Sequence, residues 1–156
     1  MDVTIVDLDS NALSRTRDVI YPTRYGAWDE KIRLATPTEV EAETFDVVIV
    51  GTPPATHLAI ATSEMRATPP RLLLIEKPLS HPDAASVTSF RETARNSSAR
   101  VLVGYNQRLK TNTKAFLDAV ASLELGALTG LTSHMLESWD GILRAHFWMT
   151  SEKDGE

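Results

Sequence analysis

The chain has 156 residues, 42% of them hydrophobic and 24% charged, with a net charge of −5 and no cysteine. That length and composition suit one ordinary globular domain, while the acidic balance and the lack of a lysine or arginine cluster argue against nucleic-acid binding. No disulfide or thiolate metal site can form, no signal peptide or membrane span is recognisable, and we expect a cytoplasmic protein.

Along the chain, short runs of consecutive apolar residues alternate with segments in which apolar residues recur at helical spacing. Residues 3–6 predict a strand that ends at Asp7, and the apolar spacing from Ser10 predicts a helix that Tyr21 and Pro22 terminate. Further strands are predicted over 31–35, 46–50, 72–75 and 101–103, and further helices over 36–43, 56–66, 82–95 and 112–123.

The predicted strands are apolar throughout, as in a parallel sheet covered by helices on both faces. The fold class is therefore α/β, doubly wound and Rossmann-like. Over residues 126–139, apolar and polar residues alternate loosely, which instead predicts a strand of a mostly antiparallel sheet. We accordingly expect one domain over residues 1–124 and the beginning of a second, α+β domain over 125–156.

Polar residues follow several of the predicted strands. Open α/β sheets bind ligands at the carboxyl ends of their strands, so these positions carry most weight, and we expect them to face a single rim. They are Asp7, Thr52, Pro53, Pro54, Glu76, Lys77, Pro78 and residues 104–108.

Asp7 follows the first predicted strand. An acid at the end of the second strand of a dinucleotide-binding fold accepts hydrogen bonds from the adenosine ribose, and its charge disfavours a 2′-phosphate. The alternative is that Asp7 caps the following helix, although Asp9 or Ser10 is better placed to do so.

Lys77 lies between an acid and a proline directly after an apolar strand. Its side chain could give and take a proton, because an apolar strand and a cofactor disfavour the ammonium, while Glu76 opposes that effect. Pro78 would fix the backbone conformation that orients the Lys77 side chain. The simpler interpretation is a surface lysine held in a salt bridge.

Two further polar residues are candidates for ligand contacts. His57 begins a predicted helix, where its ring could reach a ribose or phosphate or could merely cap the helix. Asn106 could orient an amide such as nicotinamide, or lie in a plain turn. The other histidines lack metal-ligand spacing, so no metal site is predicted.

The segments "DVVIVGTPPATH", "LLLIEKPLS" and "VLVGYNQRL" together resemble the NAD(P)-binding half of the Gfo/Idh/MocA oxidoreductases, over about residues 1–139. The resemblance implies hydride transfer between NAD(P) and a carbinol carbon of a small sugar or cyclitol. It implies that Lys77 is catalytic and that Thr52, Pro53, His57, Glu76 and Asn106 border the cofactor. Asp7 favours NAD over NADP.

The sequence also departs from that family. The phosphate-binding G-x-G-x-x-G turn should lie about 20 residues ahead of the ribose acid, but only six residues precede Asp7. In this family a further strand lies between the counterparts of the strands at 3–6 and 46–50, so its absence would leave each of them with an open edge. We expect that the two strands pair directly, that a partner strand or another copy of the chain fills the gap, or that the chain is a fragment. Alternative functions are an inactive nucleotide-binding or interaction module, or another Rossmann-like enzyme such as a methyltransferase.

Overall fold

The computed structural model describes residues 2–81, 84–123 and 138–145, together with residues 126, 127, 129, 130, 132, 134 and 136. It divides into two compact units, Met1–Thr44 and Phe45–Glu156, each of which is described by itself. The expected domain boundary between residues 124 and 125 falls outside the described residues and stays a prediction. No helix in the described part is long and apolar enough to cross a membrane.

The first unit contains a parallel pair of short strands. Strand β1 pairs with β2 in a register that places Val3 beside Ile32 and Val6 beside Ala35. One long helix connects the two strands, and a single helical turn follows β2. The bounds are β1 Val3–Val6, α1 Ser10–Arg15, a π-helical segment Thr16–Ile20, α2 Tyr21–Tyr25, β2 Ile32–Ala35 and α3 Pro37–Val40.

The connecting helix does not end at Tyr21 and Pro22, so that part of the prediction is wrong. In the π-helical segment the Tyr21 N–H donates to the Thr16 carbonyl, five residues back. Proline normally stops a helix because it lacks an N–H and clashes with the preceding turn, and the wider π turn leaves room for its ring. The helix ends instead at Gly26, whose φ is +88°.

Hydrogen-bonded caps fix both helix starts of this unit. Asp9, not Asp7, caps α1, because its carboxylate accepts the Asn11 N–H at 2.9 Å. At α3 the Glu39 carboxylate accepts the Thr36 N–H at 2.6 Å and the Thr36 hydroxyl at 2.7 Å. These bonds hold the pKa of Glu39 below its ordinary value, and the bond from the Thr36 N–H has the larger effect.

The second unit is built on a parallel sheet of three strands with β4 in the centre. The register places Val50 beside Ile75 and Ile75 beside Val103. The bounds are β3 Val47–Val50, α4 Pro54–Ala67, β4 Leu72–Ile75, α5 Ala84–Asn96, β5 Arg100–Val103, a 3-10 turn Asn106–Leu109, α6 Thr111–Ser122 and α7 Trp139–Ala145. Helix α7 was not predicted, and the strand expected over 126–139 is wrong for the described residues of that range, because none of them is in a strand and Trp139 begins α7.

Helices α4 and α5 cover one face of this sheet. The core consists of alternate strand residues, such as Leu73 and Ile75, packed against Ala61 and Met65 of α4 and Phe90 of α5. On the opposite face Val47 is 50% and Ile49 64% exposed. Both parallel sheets are therefore flanked by helices in the Rossmann-like α/β manner that the sequence predicts.

Within its own unit and among the described residues, β1 pairs with β2, and β3 is the edge strand beside β4.

Candidate functional site

The carboxyl ends of β3, β4 and β5 form one rim. Beyond the strands, the Glu76 N–H donates to the Val50 carbonyl at 2.9 Å and the Gly104 N–H to the Ile75 carbonyl at 2.8 Å. These bonds extend the parallel register by one position, which brings Gly51, Glu76 and Gly104 side by side. The loops that carry the predicted residues of this unit therefore leave the sheet together.

Glu76 bends toward β5. A Cβ at Gly104 would lie 3.1 Å from Oε2 of Glu76 and 3.4 Å from its Cδ, whereas one at Gly51 would meet nothing within 4 Å. The Lys77 N–H also donates weakly to Oε2, at 3.4 Å. A glycine at position 104 therefore provides the space in which this carboxylate lies, a contact that the sequence analysis missed although both residues directly follow neighbouring strands.

Lys77 is exposed at the same rim, and the peptide bond that joins it to Pro78 is cis. None of the ion pairs in the described part of the chain involves its ammonium. The adjacent Glu76 carboxylate is directed over Gly104 instead. Among the residues that the structure describes, Lys77 thus does not form the surface salt bridge that was its simpler interpretation.

Thr52 and Pro53 form the loop between β3 and α4. The Thr56 hydroxyl lies 2.8 Å from the Thr52 hydroxyl and 2.8 Å from the Pro53 carbonyl, and the Thr56 N–H donates to that carbonyl at 3.0 Å. The loop is therefore closed by the first turn of the helix, with the Thr52 side chain exposed.

His57 is buried beneath the rim, with only 1% of its surface exposed. Its Nδ1 lies 2.9 Å from the Pro78 carbonyl oxygen and its Nε2 2.5 Å from the Thr52 carbonyl oxygen. Both ring nitrogens are therefore occupied by main-chain groups, and neither is available to a ligand in this arrangement. The ring instead links the loop after β3 to the corner after β4.

Asn106 begins the 3-10 turn that follows β5, and its side chain is exposed. Its N–H donates to the Gly104 carbonyl at 2.9 Å, which keeps the turn close to the strand end. The structure thus brings Thr52, Pro53, Glu76, Lys77 and Asn106 to the ends of three adjacent strands.

Asp7 belongs to the first unit and lies at the carboxyl end of β1. Its Oδ1 accepts the Asp9 N–H at 2.9 Å, and its own N–H donates to the Ala35 carbonyl at 3.2 Å. Because Asp9 caps the helix, the exposed Asp7 carboxylate is not needed for that purpose.

Within the described residues, no group of three or more histidine, aspartate or glutamate side chains could hold a metal ion. Of the predicted site residues at this rim, Lys77 offers an ammonium, Glu76 a carboxylate, Thr52 a hydroxyl and Asn106 an amide.

No family model and no curated protein matches this chain. Its fold is nevertheless that of part of several solved dehydrogenases. The myo-inositol 2-dehydrogenase of Lactobacillus plantarum matches with a TM-score of 0.72 and 16% identity, over 95% of this chain and 41% of that one. The scyllo-inositol dehydrogenase of Lactobacillus casei, solved with NAD(H) and scyllo-inositol, matches with a TM-score of 0.72 and 15% identity, over 98% of this chain and 42% of that one.

A third match is an oxidoreductase domain protein from Kribbella flavida. Its TM-score is 0.60 and its identity 21%, over 80% of this chain and 32% of that one. The chain thus spans less than half the length of these structures, and at such identity the likeness establishes the shared fold.

Proposed function

We propose that the chain is part of a Gfo/Idh/MocA-type oxidoreductase that transfers a hydride between NAD(P) and a carbinol carbon of a cyclitol or sugar. The observation that carries the proposal is the convergence of Thr52, Glu76, Lys77 and Asn106 on one rim at the carboxyl ends of parallel strands, where such folds bind ligands. The fold shared with two inositol dehydrogenases supports this substrate class.

Lys77 is the proposed proton-transfer residue. Its exposed side chain lies at the rim and is not engaged in an ion pair within the described residues. As the neutral amine it can therefore approach a substrate hydroxyl and accept its proton as the alcohol is oxidised, and the ammonium that is formed returns the proton in the reverse direction. A bound nicotinamide would supply the hydride acceptor.

The proposed cofactor contacts come from the remaining rim residues. The Thr52 hydroxyl and the Pro53 backbone border the cofactor after β3, the Asn106 amide orients the nicotinamide carboxamide, and Glu76 lies between them. Asp7 of the first unit is proposed to accept hydrogen bonds from the ribose hydroxyls, and its charge favours NAD over NADP. His57 acts beneath these contacts, since both its nitrogens are already bound.

An inactive nucleotide-binding or interaction module is the second candidate. It is favoured by the free edge that β3 has within its own sheet. Such an edge suits a partner strand or another copy of the chain, because its main-chain groups are available for pairing. In this case Lys77 would have no chemical role.

Titration with NADH and NADPH, followed by amide NMR, tests the proposed site. We expect shifts at Thr52, Lys77 and Asn106, larger for NADH because an acid such as Asp7 disfavours a 2′-phosphate. Arg71, at the opposite end of the sheet, is the internal control. Shifts confined to Arg71 and its neighbours, or none at millimolar cofactor, would contradict the proposed site.

A further inference from the structure

We propose that the chain forms a symmetric dimer in which helix α6 of each copy lies on the uncovered face of the other copy's three-stranded sheet. The dimer covers two apolar surfaces of the second unit, one on the sheet and one on the helix, that are exposed in the single chain. This interaction does not rest on the proposed dehydrogenase function.

The first surface is the face of the sheet opposite α4 and α5. Since β3, β4 and β5 follow one another in space, right-handed connections place both helices on the same face. Alternate strand residues point to the other face, where Ile49, Leu74 and Leu102 form one row and Val47 and Leu72 begin the next. Parallel sheets are normally covered on both faces, whereas Val47 is 50%, Ile49 64% and Leu102 41% exposed. This face therefore lacks part of its covering layer in the described part of the unit.

The second surface is one side of helix α6. Phe116, Val120 and Leu123 recur at spacings of four and three residues, and Leu117 lies beside them on the same side. Phe116 is 49%, Leu117 57% and Leu123 61% exposed. The opposite side of the helix carries the exposed Asp118. The helix is thus amphipathic, and most of its apolar side faces solvent instead of an apolar surface.

The sheet face and the helix side are chemically complementary. Arg100 is the one charged strand residue on that face of the sheet, and it lies at the end of a row, outside the apolar centre. A helix laid on the open face of a parallel sheet is the layer that α/β domains use to bury such a face. Contiguous exposed apolar patches of this kind mark interaction sites. The two surfaces can therefore bury each other.

A second copy supplies the helix without a change in the fold of either chain. Within one chain α6 packs against the 3-10 turn Asn106–Leu109, and in that position both its apolar side and the sheet face stay exposed. Covering the sheet with its own helix would require α6 to move relative to the strands, whereas two copies can meet as rigid bodies. Each copy offers both surfaces, so the contact occurs twice and closes a two-fold dimer.

The area that this contact buries is sufficient for a stable dimer. Val47, Ile49 and Leu102 of the sheet and Phe116, Leu117 and Leu123 of the helix are each close to half exposed. Because a large side chain buries about 200 Å² in total, roughly 100 Å² remains to be buried on each of them. Two symmetric contacts therefore remove about 1,200 Å² from water, which is the lower end of the range for specific interfaces.

Crosslinking of engineered cysteines tests the arrangement, because the chain has no cysteine of its own. Ile49→Cys chains are mixed with affinity-tagged Phe116→Cys chains and treated with a short bismaleimide. We expect links between unlike chains, and far fewer when Lys114→Cys, on the opposite, exposed side of the helix, replaces Phe116→Cys. No link between unlike chains would overturn the proposal. So would an Ile49→Cys/Phe116→Cys double variant linked only within single chains, because α6 would then cover its own sheet.

Sedimentation velocity against concentration tests whether this contact carries the association. Phe116→Glu should raise the dimer dissociation constant by about 100-fold or more, because each dimer would bury two carboxylates, whereas Lys114→Glu should leave it within a few-fold. Both positions are exposed, and circular dichroism checks that the helix persists. A chain that is monomeric at every accessible concentration, or a dimer that Phe116→Glu does not weaken, would overturn the proposal. Neither readout uses cofactor or substrate, so failure of the dimer and failure of the proposed function are distinguishable.

Discussion

The Glu76 carboxylate lies against the backbone of Gly104, so close that a Cβ there would stand 3.1 Å from Oε2. The equivalent neighbour on the other side, Gly51, has open space around it. Glu76 thus turns away from β3 and toward β5, and a single methyl group can test that asymmetry.

Gly104→Ala should displace the Glu76 carboxylate. The atoms in the way belong to the end of a flexible side chain, so we expect a cost of about 1 kcal/mol or less in unfolding free energy. Gly51→Ala is the matched control and should be neutral or stabilising by a few tenths of a kcal/mol. Denaturant unfolding of both variants in wild-type and Glu76→Ala backgrounds measures the coupling. Equal costs for Gly104→Ala in the two backgrounds would contradict the contact.

Lys77→Ala should lower kcat by about 10²–10⁴-fold with little effect on cofactor affinity, as for loss of a general acid/base. The measurement requires a protein in which a phosphate-binding strand-turn-helix unit and a substrate domain from a relative complete this chain. Lys77→Arg should not restore activity, because a guanidinium stays protonated.

Lys110→Ala, at an exposed lysine further along the chain, is the control and should retain full kcat. If Lys77 is only a surface residue, both of its substitutions should leave kcat within a few-fold and stability within about 1 kcal/mol. Activity kept only in Lys77→Arg would reduce the role to electrostatic positioning.

Glu64→Gln should stabilise the second unit at neutral pH. Burial raises the pKa of Glu64, so its contribution to stability is present in acid and is lost as pH rises through the folded value. The gain should be about 0.5 kcal/mol or less and should vanish below the ordinary glutamate pKa of about 4.3. Thermal unfolding across pH measures it, with exposed Glu92→Gln on α5 as control. A gain independent of pH would argue against a titration effect.

Glu39 predicts the opposite pH dependence in the first unit. Its pKa is lowered by bonds from Thr36, so the stability that it contributes is present above the ordinary carboxyl value and is lost as pH falls through the lowered one. A carboxyl ¹³C titration should find the pKa of Glu39 below the ordinary glutamate value. Thr36→Ala removes the hydroxyl bond and should raise the pKa of Glu39 part of the way; no change would contradict that contact.

Ile49→Lys should reduce self-association of the isolated chain. Ile49 is 64% exposed on β3, whose second edge is free among the described residues, and a charge on an edge strand opposes edge pairing. Light scattering against concentration measures the effect. Ile60→Lys is the comparison on a covered helix and should instead destabilise the fold. Unchanged scattering in Ile49→Lys would show that association uses another surface.

The sequence predicted the structure best where the side chains of a strand are buried on both faces of the sheet. Leu72–Ile75 was predicted to the residue, because a central strand of a parallel sheet is apolar on both faces. Thr52, Glu76 and Asn106 were placed at one rim for the same reason, since strand ends in a parallel sheet must coincide. These inferences follow from local composition and one rule of topology.

Other features depend on contacts that no local pattern encodes. The burial of His57 between two carbonyls requires the loop after β4 to fold over α4, which the residues around position 57 do not specify. The passage of a helix through Pro22 requires a change in helical pitch, whereas the stop rule for proline assumes a regular α-helix. The short helix at Trp139–Ala145 was missed because its apolar spacing covers barely two turns.

The π-helical segment Thr16–Ile20 has a consequence for how this chain tolerates changes in length. A π turn is equivalent to one residue inserted into an α-helix, and each α-helical residue turns the axis by about 100°. Because the Tyr21 N–H bonds to the Thr16 carbonyl across one extra residue, deleting one residue within the segment would regularise the helix and leave Tyr21 facing nearly its present direction. The edge-to-face contact of Tyr21 with Trp28, at 5.0 Å between ring centroids, would then survive, so the segment absorbs one residue of chain length without disturbing this aromatic contact.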